Sequence, residues 1–137
     1  MGFLLDSTVL IAAERAGWNA NRTLRWIEEK VGPAEIAISV VSLIELAHGA
    51  ARAALPERKL RRLEFLRELQ TAIPIHPVSV AIALRAGQID GENNAKGVSV
   101  ALADLPIGVT ALLLGYQVAT SNVRHFKSIP GLEILSI

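Results

Sequence analysis

Short apolar runs alternate with longer stretches of helical periodicity along the whole chain, a pattern that predicts an α/β fold. The first run, Phe3–Leu5, is followed by a helical pattern from Thr8 to about Arg15. A second helix is predicted over Asn19–Val31, capped by Asn19 or Asn21 and stopped at Gly32-Pro33. Ile36–Ser39 reads as a short buried strand leading into a helix from about Val41 to Ala54, and Pro56 opens another that runs to about Thr71. Ile73–Pro77, short and flanked by proline, suits a strand at or near a sheet edge. A helix is predicted from about Ser79 to Ile89, an exposed loop over Gly91–Gly97, and a further helix from Asp104 to near Gly115. Tyr116–Thr120 and Leu132–Leu135 read as strands on either side of a helical turn or two at Asn122–Ser128. About five short strands and seven helices fit a three-layer sandwich around a central, mainly parallel sheet.

Length and composition narrow this picture. A chain of 137 residues suits one domain, residues 1–137, with a substantial core. Apolar residues make up 51% of the chain and mean hydropathy is +0.39, which suits a sheet buried on both faces and a subunit contact that hides the remainder. There is no cysteine, so disulfides and thiolate metal sites are excluded, in keeping with a cytoplasmic location. The start of the chain has no basic region, and Asp6 interrupts its apolar stretch, so no signal peptide is expected there. Residues 105–123 are uncharged but broken by Pro106, Gly108 and Gly115, and they read as helix, turn and strand rather than a membrane span. A net charge of +1 gives no general affinity for nucleic acid, and 4% aromatic residues are few for a base-stacking platform. Any nucleic-acid contact is expected to run through phosphate and a local cluster of arginines.

Three carboxylates stand out against this background. Asp6, Glu45 and Asp104 each lie where a short apolar run meets the start of a helical pattern. In an open parallel sheet such positions gather along one edge, beyond the carboxyl ends of the strands, where ligands bind. Each acid also has a plainer role available. Asp6 and Asp104 suit helix N-caps, and Ser42-Leu43-Ile44-Glu45 matches a capping box in which Glu45 reaches back to a backbone amide. Against that, Glu45 lies in the otherwise apolar run Val40–Ala47, where a carboxylate is costly to bury unless paired or metal-bound. Three acids on one edge repel, and a hard divalent cation such as Mg²⁺ relieves the repulsion. Ser7 and Thr8 add hydroxyls, and Asn122 adds an amide after the Val118–Thr120 strand. The chemistry implied is hydrolysis of a phosphodiester by metal-activated water. His48, His76 and His125 lack metal-ligand spacing to one another and are expected to be structural. The charge run Pro56–Glu68 has leucines at helical spacing, so its charges form mainly a solvated face.

These segments resemble the PIN-domain ribonucleases, and specifically the VapC-type toxins of prokaryotic toxin–antitoxin pairs. The likeness covers nearly the whole chain. Leu4–Ile11 resembles the family's opening motif with its acid at Asp6, and Ser39–Gly49 resembles the second, with Glu45. Ala103–Leu112 resembles the third, with Asp104, and Thr120–Phe126 resembles the closing motif, with Asn122. The resemblance implies a Rossmann-like PIN fold and a metal-dependent endoribonuclease that inhibits translation and growth. Asp6, Glu45, Asp104 and Asn122 would be its catalytic set, and the three acids its ligands for Mg²⁺ or Mn²⁺. Ser7, Thr8, Thr120 and Arg124 would support the site or the substrate. It further implies a homodimer, a small VapB-like antitoxin that blocks the site, and a higher toxin–antitoxin assembly. Many relatives carry a fourth acid where this chain has His125, which favours one tightly held ion over two. Two rivals follow from the same residues. A phosphatase using Asp6 as nucleophile would want a second aspartate where Thr8 stands, and a degenerate PIN domain would bind RNA or protein without cutting. The helix after Glu45 (Ala47, Ala50, Ala51, Ala54, Leu55), together with Leu63 and Leu66 of the next, is the candidate contact for a second copy or an antitoxin, unless the two helices merely pack on each other.

Overall fold

A computed structural model describes residues 1–137. The strands are β1 (Gly2–Leu5), β2 (Glu35–Ser39), β3 (Ile75–His76), β4 (Gln117–Thr120) and β5 (Ile134–Ser136). The helices are α1 (Ser7–Arg15), α2 (Ala20–Val31), α3 (Val40–Ala51), α4 (Pro56–Ala72), α5 (Val80–Ala95) and α6 (Asp104–Leu114), with a 3₁₀ turn at Val123–His125. The strands form one parallel sheet in the order β3-β2-β1-β4-β5, so Ile75–His76 is indeed an edge strand.

Strand periodicity divides the core into two layers. Leu5, Ile38 and Ala119 lie beside one another across β1, β2 and β4 and face α1–α4, where they meet Leu10, Ile27, Leu46, Phe65 and Leu69. Their chain neighbours Leu4, Ala37 and Val118 face the other way, onto Ile82 and Ile89 of α5, Leu105 and Val109 of α6, and Phe126. Both faces of the sheet are therefore covered, which accounts for much of the high apolar content. No helix is long and apolar enough to cross a membrane.

Local chemistry sets the element ends. Asn19 caps α2 by accepting from the Arg22 amide at 2.8 Å, and Gly115, at φ 70°, closes α6 in the left-handed conformation that glycine favours. Among the boundaries that differ from the sequence expectation, two are helix ends. The segment expected as an exposed loop at Gly91–Gly97 is helical as far as Ala95, because Ile89 and Asn93 stay buried. The Asn93 amide donates to the Ser128 carbonyl at 3.2 Å, an anchor that offsets the roughly 1 kcal/mol cost of Gly91 in a helix. Helix α3 ends at Ala51 rather than Ala54, before the turn that brings α4 back against it.

Candidate active site

The parallel register places the carboxyl ends of β1, β2 and β4 side by side, and the residues that follow them share one edge. Asp6 comes directly after β1 and is 3% exposed, and its amide donates to the Ala119 carbonyl of β4 at 3.0 Å. Its Oδ2 accepts from Thr8 Oγ1 at 2.8 Å and from Thr120 Oγ1 at 2.9 Å. Each hydroxyl is itself oriented by the strand that leaves β4. The Ser121 amide donates to Thr8 Oγ1 at 3.2 Å, and the Asn122 amide donates to Thr120 Oγ1 at 2.9 Å. Oδ1 takes part in none of these bonds. The carboxylate is held by one oxygen and presents the other.

None of the three acids is spent as a helix cap. Asp6 stands at the N-cap of α1 and Asp104 is the first residue of α6, yet neither side chain makes a capping bond. The expected capping box at Ser42–Glu45 does not form, because α3 starts earlier. Ser39 caps that helix, accepting from the Val41 amide at 3.1 Å, which leaves Glu45 in the second turn. There Glu45 Oε2 accepts from Ser7 Oγ at 3.1 Å, while Oε1 is buried without any partner. An unpartnered buried carboxylate oxygen is costly unless a cation or donor completes it.

The acids feel one another. Burial raises the Glu45 carboxyl above its ordinary range, the Ser7 bond opposes the rise, the Asp6 charge adds to it, and His125 counters it. Burial likewise pushes the Asp104 carboxyl up to about 6, with His125 opposing and the charges of Asp6 and Glu45 adding. The charge that counters the rise at both carboxyls is His125. Its Nδ1 lies 3.3 Å from Asp104 Oδ2, and its Nε2 lies 2.9 Å from Asn122 Nδ2. With Nδ1 protonated, the ring donates to Asp104 and accepts from the Asn122 amide. Sequence reasoning set His125 aside as structural, but the structure joins it to two predicted site residues. The available signal was its position, three residues after Asn122.

Ser7, Thr8, Thr120 and Asn122 thus stand with the acids, whereas Arg124 is exposed and no side-chain partner fixes it. His48 and His76 lie outside the site. No three carboxylate or imidazole side chains are drawn together into a preformed cation cage. The acids line one edge without closing about a point. Glu45 also borders a groove of about 100 Å³ between α1, α3 and α4, lined by Ile11, Arg15, Leu46, Arg62 and Phe65 among others.

The chain also has known relatives. A PIN-domain family model matches residues 3–132. Ribonuclease VapC10 of Mycobacterium tuberculosis is 37% identical over 123 residues, covering 90% of this chain and 84% of the relative. The tRNA(fMet)-specific endonuclease VapC of Salmonella typhimurium is 35% identical over 100 residues, covering 72% and 73%. Among solved structures, a DNA-bound VapBC complex from Salmonella typhimurium aligns with a TM-score of 0.77 at 28% identity, covering 99% of this chain and 98% of the other.

Proposed function

The chain belongs to the PIN-domain family, among its VapC ribonucleases, and from that premise we propose that it is a divalent-metal-dependent endoribonuclease, with residues 1–137 forming a single PIN domain. The observation that carries this reading is the free, buried Oε1 of Glu45 beside two further acids, none of them used as a cap. The donor set suits Mg²⁺ or Mn²⁺, which prefer hard carboxylate oxygens. Asp6, Glu45 and Asp104 would hold the ion. With imidazole rather than carboxylate at His125, three acids serve one ion. When bound, the ion supplies Lewis acidity and lowers the pKa of a coordinated water for attack on phosphorus.

The rest of the work falls to the chain's own side chains. Thr8 and Thr120 fix Asp6 through Oδ2, so its other oxygen is presented without rotamer search. Ser7 orients Glu45 in the same way. His125 positions Asp104, and Asn122 holds the imidazole in the tautomer that does so.

VapC relatives and VapBC complexes among the similar structures support a toxin of a toxin–antitoxin pair that restrains translation and growth from the cytoplasm. The partner would be a small VapB-like antitoxin, on a homodimer able to join a higher assembly. Three acids held clear of capping duty argue against a binding-only module. Incubation with total RNA tests the reading. Cleavage should require Mg²⁺ or Mn²⁺, stop with EDTA and stop in the Asp6→Asn protein. RNA cut equally well by that variant would refute the site.

A further inference from the structure

The chain has two tryptophans, Trp18 and Trp26, and the fold brings both to the same shoulder of the molecule. Their rings meet edge to face with centroids 5.5 Å apart, and both are partly exposed. The Arg22 guanidinium lies 4.9 Å from the Trp18 ring centroid, and the Lys30 ammonium lies 5.1 Å from that of Trp26. A groove of about 310 Å³ runs past them, lined by Trp18, Arg22, Arg25, Trp26 and Glu29. On the other side of the same rings is a smaller apolar hollow of about 100 Å³, whose walls include Val9, Ala12 and Ser121. Ser121 is the link to the catalytic edge, because its amide orients Thr8, which in turn holds Asp6. The aromatic shoulder therefore reaches the catalytic edge through Ser121 and Thr8.

We propose that this shoulder is a substrate subsite, where an unpaired base of the RNA flanking the cut stacks on Trp18 and Trp26 and its phosphates are held by Arg22 and Arg25. The proposal rests on the ribonuclease reading and adds to it a place for the strand. Two arguments favour RNA as the occupant. Aromatic faces accept any base, and guanidinium groups beside them take the phosphate that each base brings. The charges also suit a polyanion, because Arg22 and Arg25 line the groove against a single acid, Glu29. Overall composition hid this, since few aromatics and a net charge near zero say nothing about where those side chains are gathered.

With both tryptophans in the patch, intrinsic fluorescence reads the subsite directly. The full-length Asp6→Asn protein, with Mg²⁺, is titrated with a fluorescein-labelled single-stranded RNA of mixed sequence. Tryptophan emission should be quenched along the same curve as the rise in anisotropy. The Trp18→Phe and Trp26→Phe variants assign the quench to each ring. In the otherwise wild-type protein, the exposed pair Arg22→Gln with Arg25→Gln should raise KM by about tenfold and leave kcat unchanged, as expected when binding away from the reacting bond is lost. RNA binding without any change in tryptophan emission would overturn the proposal. So would unchanged KM in the arginine pair, and if that pair instead lost antitoxin capture, the shoulder would be a protein-docking face. Wild-type cleavage that persists in either case leaves the ribonuclease reading standing, whereas absence of all cleavage defeats that reading first.

Discussion

Asp104 should make the metal-free protein less stable, and its removal should make that protein more stable while abolishing function. Its carboxyl is pushed up to about 6 from an ordinary 3.8, chiefly by burial and further by the charges of Asp6 and Glu45. The folded state therefore binds the proton more tightly than the unfolded chain. This contribution to stability is fully present below about pH 3.8 and is lost as pH rises through about 6. At about 1.4 kcal/mol for each tenfold change in proton affinity, the displacement corresponds to roughly 3 kcal/mol at neutral pH. Solvent at the rim of the site reduces it, and about 1–3 kcal/mol is the range expected. Asp104→Asn keeps the shape and removes the charge. In EDTA at pH 7.5 the variant should melt roughly 3–9 °C above the wild type, taking about 3 °C for each kcal/mol in a chain of this size. At pH 4 the two melting temperatures should converge. Adding Mn²⁺ should then raise the wild type and leave the variant nearly unmoved, reversing part of the difference. An offset that is the same at pH 4 and pH 7.5, or a variant less stable at both, would show that Asp104 is not held against its neighbours' charges.

Three other outcomes follow. Glu45→Gln should abolish most of the Mn²⁺-induced rise in melting temperature, which for the wild type is about 2.7 kcal/mol at a hundredfold excess over Kd, as read by differential scanning fluorimetry. Thr120→Val removes a buried hydroxyl that both holds Asp6 and receives the Asn122 amide, so chemical denaturation should show a loss of about 1–3 kcal/mol and RNA cleavage should fall more steeply than stability. Leu66→Glu should unfold the protein by burying a charge, whereas Leu63→Glu, at a residue 45% exposed, should fold normally, a contrast that circular dichroism settles.

The elements were largely legible because the sheet is parallel and buried on both faces, so each strand appears as an apolar run ending at a polar residue. The same logic placed Asp6 and Asn122 at strand ends. It could not decide what the acids do there, because a cap and a ligand have the same sequence signature. The geometry removes the cap from the choice, through a capping serine at position 39 rather than 42 and a Glu45 oxygen left without a partner. His125 was missed because its partners, Asp104 and Asn122, lie on two different elements, and spacing along the chain carries no trace of the first of these contacts. The residues expected at a subunit or antitoxin contact divide by burial. Ala50 and Leu66 are buried where α3 and α4 pack on each other, whereas Leu55 and Leu63 remain exposed. Leucines three residues apart on a helix can both look available until a neighbouring helix takes one side.

The order of the strands also has a consequence for how the protein is made. Asp6 lies near the beginning of the chain, yet its side chain is fixed by Thr120, 114 residues later, and its backbone by Ala119. Strand β1 can gain its partner β2 early in synthesis, but its other neighbour, β4, emerges only after α6. A nascent chain that has reached α5 already carries Asp6 and Glu45 but has neither Asp104 nor the hydroxyl of Thr120. Contacts so distant in sequence form late, after long loops have closed. The three acids are therefore brought together only once α6 and β4 have followed α5 out of the ribosome, so a chain that stops at α5 has no complete cleft.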